Sequence, residues 1–483
     1  MVQLRSLIFL SLFSSAASTA VLAQQVAVSK EFNIRTDYAY EILGHIEDNI
    51  LLYRDKGFDK MISAFDNDLQ FKWENKIYFE HKKVKVIGLT PRDSVFSIFY
   101  AMKKDGVEYL RVGNYDGGAR LRDSLTVIEQ ERDLVGQQFE IINSEDKKKS
   151  LLYFTDHNDR FKVIVYDHVK DTLDWEEDFY FEGIDINDDL FDIQFTNTGE
   201  VVLLLEKDSR MGKDDKGVLE FIVFSKYNRS GSIGQIHYSN KYLQDIKMSI
   251  DEENSRIGFF GLYNDKKAKW ADGYFYQFID WNKLANQYEF EFQAFSPELI
   301  VDVYGPNAKK KKGLNFFLIN DVFWRKDGGL IMIMEMQRQF SRRNNYDIIG
   351  RSSADYYSSR GWVDYFSEDM VIMALHPDGS EHWTEVLFKK QFSQDDGGIY
   401  ASYYPFITPS RLRLIYNDEI KKENTVSEYV LNGIGEYKRE SLFSTRYQNI
   451  KLRLMDALQI SNNEILIPSQ KNYNLSLVKI SYN

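Results

Sequence analysis

A two-strand unit recurs along this chain, and no other feature limits the fold as tightly. In Val371-Ile-Met-Ala-Leu-His-Pro-Asp-Gly-Ser-Glu-His-Trp383 an apolar strand enters a tight polar turn, and a second strand then carries an aromatic residue. The same order of residue types stands at Met61-Ile-Ser-Ala-Phe-Asp-Asn-Asp-Leu-Gln-Phe-Lys-Trp73 and at Val163-Ile-Val-Tyr-Asp-His-Val-Lys-Asp-Thr-Leu-Asp-Trp175. A unit that returns every few tens of residues predicts a repeat array, in which each unit buries its apolar faces against its neighbours.

Looser copies fill the intervals. They start at Glu108, Phe221, Gly273 (followed by Gln287-Tyr-Glu-Phe-Glu-Phe292), Ser427 and Leu475. Another apolar strand precedes each one, such as Ile50-Leu-Leu-Tyr53, Glu200-Val-Val-Leu-Leu-Leu205 or Glu464-Ile-Leu-Ile-Pro468. A shorter strand comes before most of those. The β-rich composition agrees, with 31 Tyr, 34 Phe and only 7 Pro. Apolar spacing at the helical period is scarce, so little helix is expected. Four strands per unit make the blade of a β-propeller. The fold class is therefore all-β, a single closed propeller of eight blades, or seven if the weaker units are irregular. The last unit stops after its third strand, while Val26-Ala-Val-Ser-Lys-Glu-Phe-Asn-Ile34 stands alone at the other end. Pairing the two closes the ring and removes an unprotected edge.

The order Ala-Leu or Ala-Phe, Asp, turn, Trp resembles the repeats of pyrroloquinoline-quinone-type propellers. It is also similar to the repeats of the propeller lipoprotein in the bacterial outer-membrane protein assembly machinery. The resemblance implies fold and compartment. It would also imply a vicinal cysteine pair and a metal-bound quinone, or a lipidated cysteine. The chain has no cysteine. Neither a cofactor nor a lipid anchor is therefore expected.

Residues 1–23 read as a signal peptide: Arg5, then Leu7-Ile-Phe-Leu-Ser-Leu-Phe13, then Val21-Leu-Ala23 before Gln24. The apolar core is short for a membrane span, and no later stretch reaches that length. The expectation is an exported protein, periplasmic or secreted, with residues 24–483 forming the propeller. The net charge of −12 disfavours nucleic acid and anionic lipid as partners.

Candidate sites are few. More than thirty residues separate the strands Leu330–Met336 and Met370–Leu375, and long intervals in compact folds tend to carry function. The interval 337–368 is read as an intra-blade insertion and the main recognition loop. Its anchors are Arg338, Arg342, Arg343, Tyr346, Arg351, Tyr356, Tyr357, Arg360, Trp362 and Tyr365, with Phe366 beside them. Arg, Tyr and Trp are the residue types enriched at binding hot spots, and Arg pairs bidentately with carboxylates. Asp116-Gly-Gly118, Gln394-Asp-Asp-Gly-Gly398 and Asp185-Ile-Asn-Asp-Asp189 have too few oxygen ligands for calcium and read as turns. Lys309–Lys312 and Lys147–Lys149 read as solvated loops. None of His45, His81, His157, His168, His237, His376 and His382 has metal-ligand spacing, although His376 and His382 flank one turn and could face each other.

No Gly-x-Ser-x-Gly elbow is present. A Ser–His–Asp set, or a pair of carboxylates at the central channel, is a spatial arrangement that sequence order does not reveal. The reading is a non-enzymatic propeller that binds a protein or an extended peptide as an envelope subunit. The alternatives are a glycoside hydrolase or lyase with channel carboxylates, and a sugar-binding module that uses aromatic platforms.

Overall fold

The computed structural model describes residues 24–482 apart from 131–133, 157–159, 182–184, 207–215, 267–269, 343–361, 419–424 and 445–449. The signal-peptide segment 1–23 and His157 lie outside the described residues.

The middle strands explain the architecture. Val201–Leu205 is buried without interruption, and so is Ile50–Tyr53. Side chains alternate across a strand, so such a run serves two apolar faces at once. Val201, Leu203 and Leu205 pack towards the preceding blade, with Phe161, Val163 and Trp175. Val202 and Leu204 pack towards the following one, with Phe259 and Ile257. Leu51 and Tyr53 likewise join Phe96 and Ile98, while Ile50 and Leu52 join Leu466 and Leu477. The core is thus a set of layers between neighbouring sheets rather than one central mass.

Eight four-stranded antiparallel sheets stand in a ring, an eight-bladed β-propeller. Blades 1 to 7 span 39–77, 84–130, 140–180, 190–239, 242–294, 317–387 and 403–444. Blade 8 takes its inner three strands from Leu458–Gln459, Glu464–Lys471 and Asn474–Ser481. The N-terminal segment supplies its outermost strand. Gln25–Val28 pairs with Ser481–Val478, and Phe32–Asn33 pairs with Leu475–Asn474. The closing strand is thus two short pieces, in the sheet where the sequence placed it. Among the described residues no helix is long and apolar enough to cross a membrane. Among the described residues helix is limited to short pieces, the longest being Pro297–Tyr304.

One expected strand belongs elsewhere. Gln287–Glu289 leaves blade 5 and pairs in parallel with Gln235–His237 on the outer edge of blade 4, and Glu291–Ala294 completes blade 5. The three repeat tryptophans all lie at blade interfaces. Trp175 is buried and donates its indole N–H to the Gly199 carbonyl of the next blade at 3.2 Å. Trp383 does the same to Gly433 at 3.2 Å, and Trp73 packs on the layer between blades 1 and 2.

The innermost strands converge on the axis, and most of them are interrupted there by a bulge. After the bulge in blades 1 and 2 stand Gly44 and Gly88. A Cβ on Gly88 would lie 2.6 Å from Ile141 of blade 3, so these sites need glycine for close approach. In blade 4 the same place is taken by Asp192, which accepts from Met248 N of blade 5 at 3.0 Å. Asp321 in blade 6 accepts from the Tyr403 hydroxyl of blade 7 at 2.6 Å. Asp245, at the bulge of blade 5, accepts from Ile319 N of blade 6.

Candidate functional site

The two faces of the disc are built differently. Turns between strands 1 and 2, and between strands 3 and 4, emerge on one face and are short, as at 47–48, 92–94, 409–410 and 432–436. The longest of them, 281–290, carries the strand lent to blade 4. Connections between strands 2 and 3, and from blade to blade, emerge on the other face. Among the described residues, 295–316, 388–402 and 450–457 lie there. Binding residues concentrate on loops held by a rigid scaffold, so this second face carries the candidate sites.

The most prominent feature of that face is an arm on blade 6. The interval read from sequence as one loop is in part sheet: strands Leu330–Arg342 and Trp362–Leu375 run on past the blade and stay paired to their ends. A third strand, Gln391–Gln394, adds to Asp364–Ser367. Phe340, Phe366 and Phe392 form an aromatic row across this sheet, with centroids 5.8 and 4.9 Å apart. Arg338 lies over the Phe366 ring at 5.3 Å and pairs with Glu368. Tyr365 faces the other way and packs over Gly398. Arg342 and Trp362 stand opposite each other in register. Arg343, Tyr346, Arg351, Tyr356, Tyr357 and Arg360 lie outside the described residues.

The arm stands on a buried polar base. Lys389 and Glu335 form an ion pair with both side chains fully buried. Glu335 also accepts from Asn320, Gln337 and Ser402 at 2.7, 2.6 and 2.7 Å. Burial pushes the Lys389 ammonium below its ordinary range, against the pull of Glu335. Gln391 accepts from Lys389 and donates to the Asn417 carbonyl at 2.8 Å, which ties the arm to blade 7.

On the same face, where the ring closes, blades 8 and 1 enclose a cavity of about 660 Å³. Its walls include Arg35, Tyr38, Tyr40, Glu41, Arg453 and Tyr473. The link from the closing strand into blade 1 is held by buried Arg54. Its guanidinium donates to Asp37 at 2.6 Å, to the Asn33 carbonyl at 2.8 Å and to Glu74 at 2.9 Å, over the Phe32 ring. Across the cavity Arg453 lies over the Tyr40 ring at 5.5 Å and donates to Asp456 and Gln470. Glu41 pairs in register with Tyr53 and shares its side of the strand, and desolvation by the surrounding protein lifts its carboxyl to about 7. Sequence reasoning missed this group because its residues come from opposite ends of the chain. Only ring closure, itself legible, could have brought them together.

Two catalytic arrangements left open by the sequence can be compared with the geometry. His168 is buried, with Nε2 at 2.8 Å from Ser150 Oγ. Its Nδ1 faces Ser97 Oγ at 3.3 Å rather than a carboxylate, and burial lowers its pKa to about 3. A general base needs protonation near working pH and an acid to orient it, so this pair reads as core. The carboxylates after the bulges, Asp192 and Asp321, spend an oxygen on the next blade, as described above. His376 and His382 do face each other, with ring centroids at 4.4 Å, and Arg325 donates to His382 Nδ1 at 2.8 Å. Among the described residues no group of three or more His, Asp or Glu could hold a metal ion. Two of the acidic segments are turns, where Asp116 caps Gly118 and Arg120 and Asp396 caps Gly398, whereas the third forms the short helix Ile186–Asp189.

The fold and its faces define a β-propeller whose long connections share one side. No protein family and no curated protein matches the sequence. Among solved structures it is similar to Saccharomyces cerevisiae Sqt1, at 12% identity over 95% of this chain and 100% of that one, with a TM-score of 0.45. It is similar to the Dos1 propeller at 8% identity over 94% and 95%, with a TM-score of 0.43. A third is the β-propeller domain of the Trilobed protease from Pyrococcus furiosus, described as having an open velcro topology. There the values are 8% identity, 86% and 98% coverage and a TM-score of 0.38. These likenesses do not single out the quinone-type or assembly-type repeats. Nothing about ligands or activity follows from likeness at this level.

Proposed function

We propose that this chain is an exported, non-enzymatic binding or scaffolding subunit of a bacterial cell envelope, which holds a protein or extended peptide through the arm of blade 6. The observation that carries this reading is the arm itself. A three-stranded sheet projects from the face of long connections and is fixed at its base by fully buried Glu335 and Lys389. Such a base is costly to desolvate, and it holds the arm in one orientation. A preorganised arm loses less entropy on association than a free loop. The Arg and aromatic content of 337–368, on a chain of net charge −12, favours a partner that presents carboxylates and apolar side chains.

The test replaces residues 343–361 by a short Gly-Ser linker. The ring should fold as before, and proteins captured from native envelope by wild type should be lost. Capture of every partner at wild-type level would overturn the assignment. Export is checked separately, by cell fractionation and by N-terminal sequencing of the mature protein, which should begin at Gln24.

A further inference from the structure

The closing strand begins at a fixed point on a neighbouring blade. Successive side chains of a strand point to opposite sides. Val26 and Val28 accordingly pack among residues of blades 7 and 8, and Ala27 among residues of blades 8 and 1. Gln24 is in phase with Val26 and Val28, and its side chain reaches the same way. Its Nε2 donates to Glu428 Oε1 of blade 7 at 3.2 Å. The Glu428 side chain is fully buried, and it also accepts from Arg413 at 2.7 Å and from the Tyr482 hydroxyl at 2.8 Å. Gln24 itself is half-buried. The first residue of the expected mature chain is thus tied down where chain ends are commonly loose.

A glutamine at the head of a chain has a reaction open to it that an internal glutamine lacks. Its free α-amine can attack Cδ of its own side-chain amide. The new N–Cδ bond closes a five-membered lactam, and the Cδ–Nε2 bond breaks. One amine proton goes to the departing nitrogen, which leaves as ammonia. No oxidant and no second reactant is needed. Ring formation requires the side chain to fold back over its own backbone nitrogen. A side chain reaching out to Glu428 is held away from that conformation, and the nitrogen to be expelled is the one bonded to Glu428. We propose that Gln24 is a conditional modification site, which cyclises to pyroglutamate while the seam of the ring is open and stays glutaminyl once the closing strand docks. This rests on the reading that residues 1–23 are removed on export, and it is independent of the arm.

The two states exclude each other. A lactam ties the side chain back and leaves no primary amide, so a chain that cyclises before closure docks with one bond fewer to Glu428. The fraction of cyclised chains therefore records how long they stayed open before the ring closed.

The test uses chains that start at Gln24, released from an N-terminal fusion by a protease so that export is not required. Mass spectrometry of the N-terminal peptide follows the loss of one ammonia during incubation, and a synthetic peptide of residues 24–35 gives the unrestrained rate. The folded chain should cyclise at least about tenfold more slowly than the peptide, because a hydrogen bond to a charged group must break first. In urea the two rates should converge. Glu428→Leu should cyclise faster than wild type, and if that variant folds poorly the wild-type comparison decides alone. The proposal is overturned if the folded chain cyclises at the peptide's rate, if the rates stay apart in urea, or if a folded Glu428→Leu chain is protected as well as wild type. A native start other than Gln24 would refute the export reading instead, and the fusion-released chain would still decide this one.

Discussion

Arg54 should be the residue on which ring closure depends most. It is 6% exposed and joins the closing link to blade 1 through Asp37, whose side chain is 2% exposed. Arg54→Met keeps most of the volume and removes the charge. It leaves a buried carboxylate and the Asn33 carbonyl without their donor, and it removes the cation lying 5.1 Å above Phe32. Breaking a buried pair from one side costs about 3–5 kcal/mol, chiefly through the charge left behind. Asp37→Asn in the same chain removes that charge, so the double variant should be more stable than the sum of the two losses predicts, by about 1 kcal/mol or more. Urea unfolding followed by tryptophan fluorescence gives each value. Limited proteolysis should cut Arg54→Met within 24–38 before the rest of the ring opens. A loss below about 1 kcal/mol, with the two substitutions additive, would show that the closing strand holds without this clamp.

Other outcomes follow from the same structure. His168 has a folded pKa of about 3 against an ordinary 6.5, so its contribution to stability is complete above pH 6.5 and declines as pH falls towards 3. His168→Gln should flatten that part of the stability profile, and an unchanged slope would contradict the buried neutral imidazole. Trp175→Ala should cost about 3–5 kcal/mol, whereas half-buried Trp383→Ala should cost less, as read from chemical denaturation. Lys389→Met leaves Glu335 buried without its cation and should cost about 3–5 kcal/mol; retained stability would mean that its neutral donors suffice.

The hairpins were legible because each Ala–turn–Trp unit joins a local turn signal to a local alternation. Ring closure was legible because an orphan strand and a missing strand are complementary facts. Pattern alone does not say which sheet a strand joins, and so Gln287–Glu289 was given to blade 5. The strands Gln337–Arg342 and Trp362–Ser367 passed for a loop. They project beyond the blade and have no apolar layer on both sides to leave a continuous hydrophobic run. Gly44, Gly88 and Asp192 occupy corresponding places yet share no residue type, since a side chain may either vacate a crowded axis or bridge it. The seam cavity left no sequence mark, because Tyr40 and Arg453 meet only through the assembled ring.

Closure by the first strand has a kinetic side. Gln25–Asn33 is synthesised before any blade exists, and its partner Asn474–Ser481 comes at the far end of the same chain. Until then Val26, Val28 and Phe32 have no sheet to join, and they remain a sticky, unpaired segment through the whole of assembly. The pairing that ends this exposure spans all eight blades, which makes it a slow, entropy-limited step. A circular permutant whose new ends fall between blades 3 and 4 would turn that last encounter into a local one. It should then fold faster, with the same eight sheets.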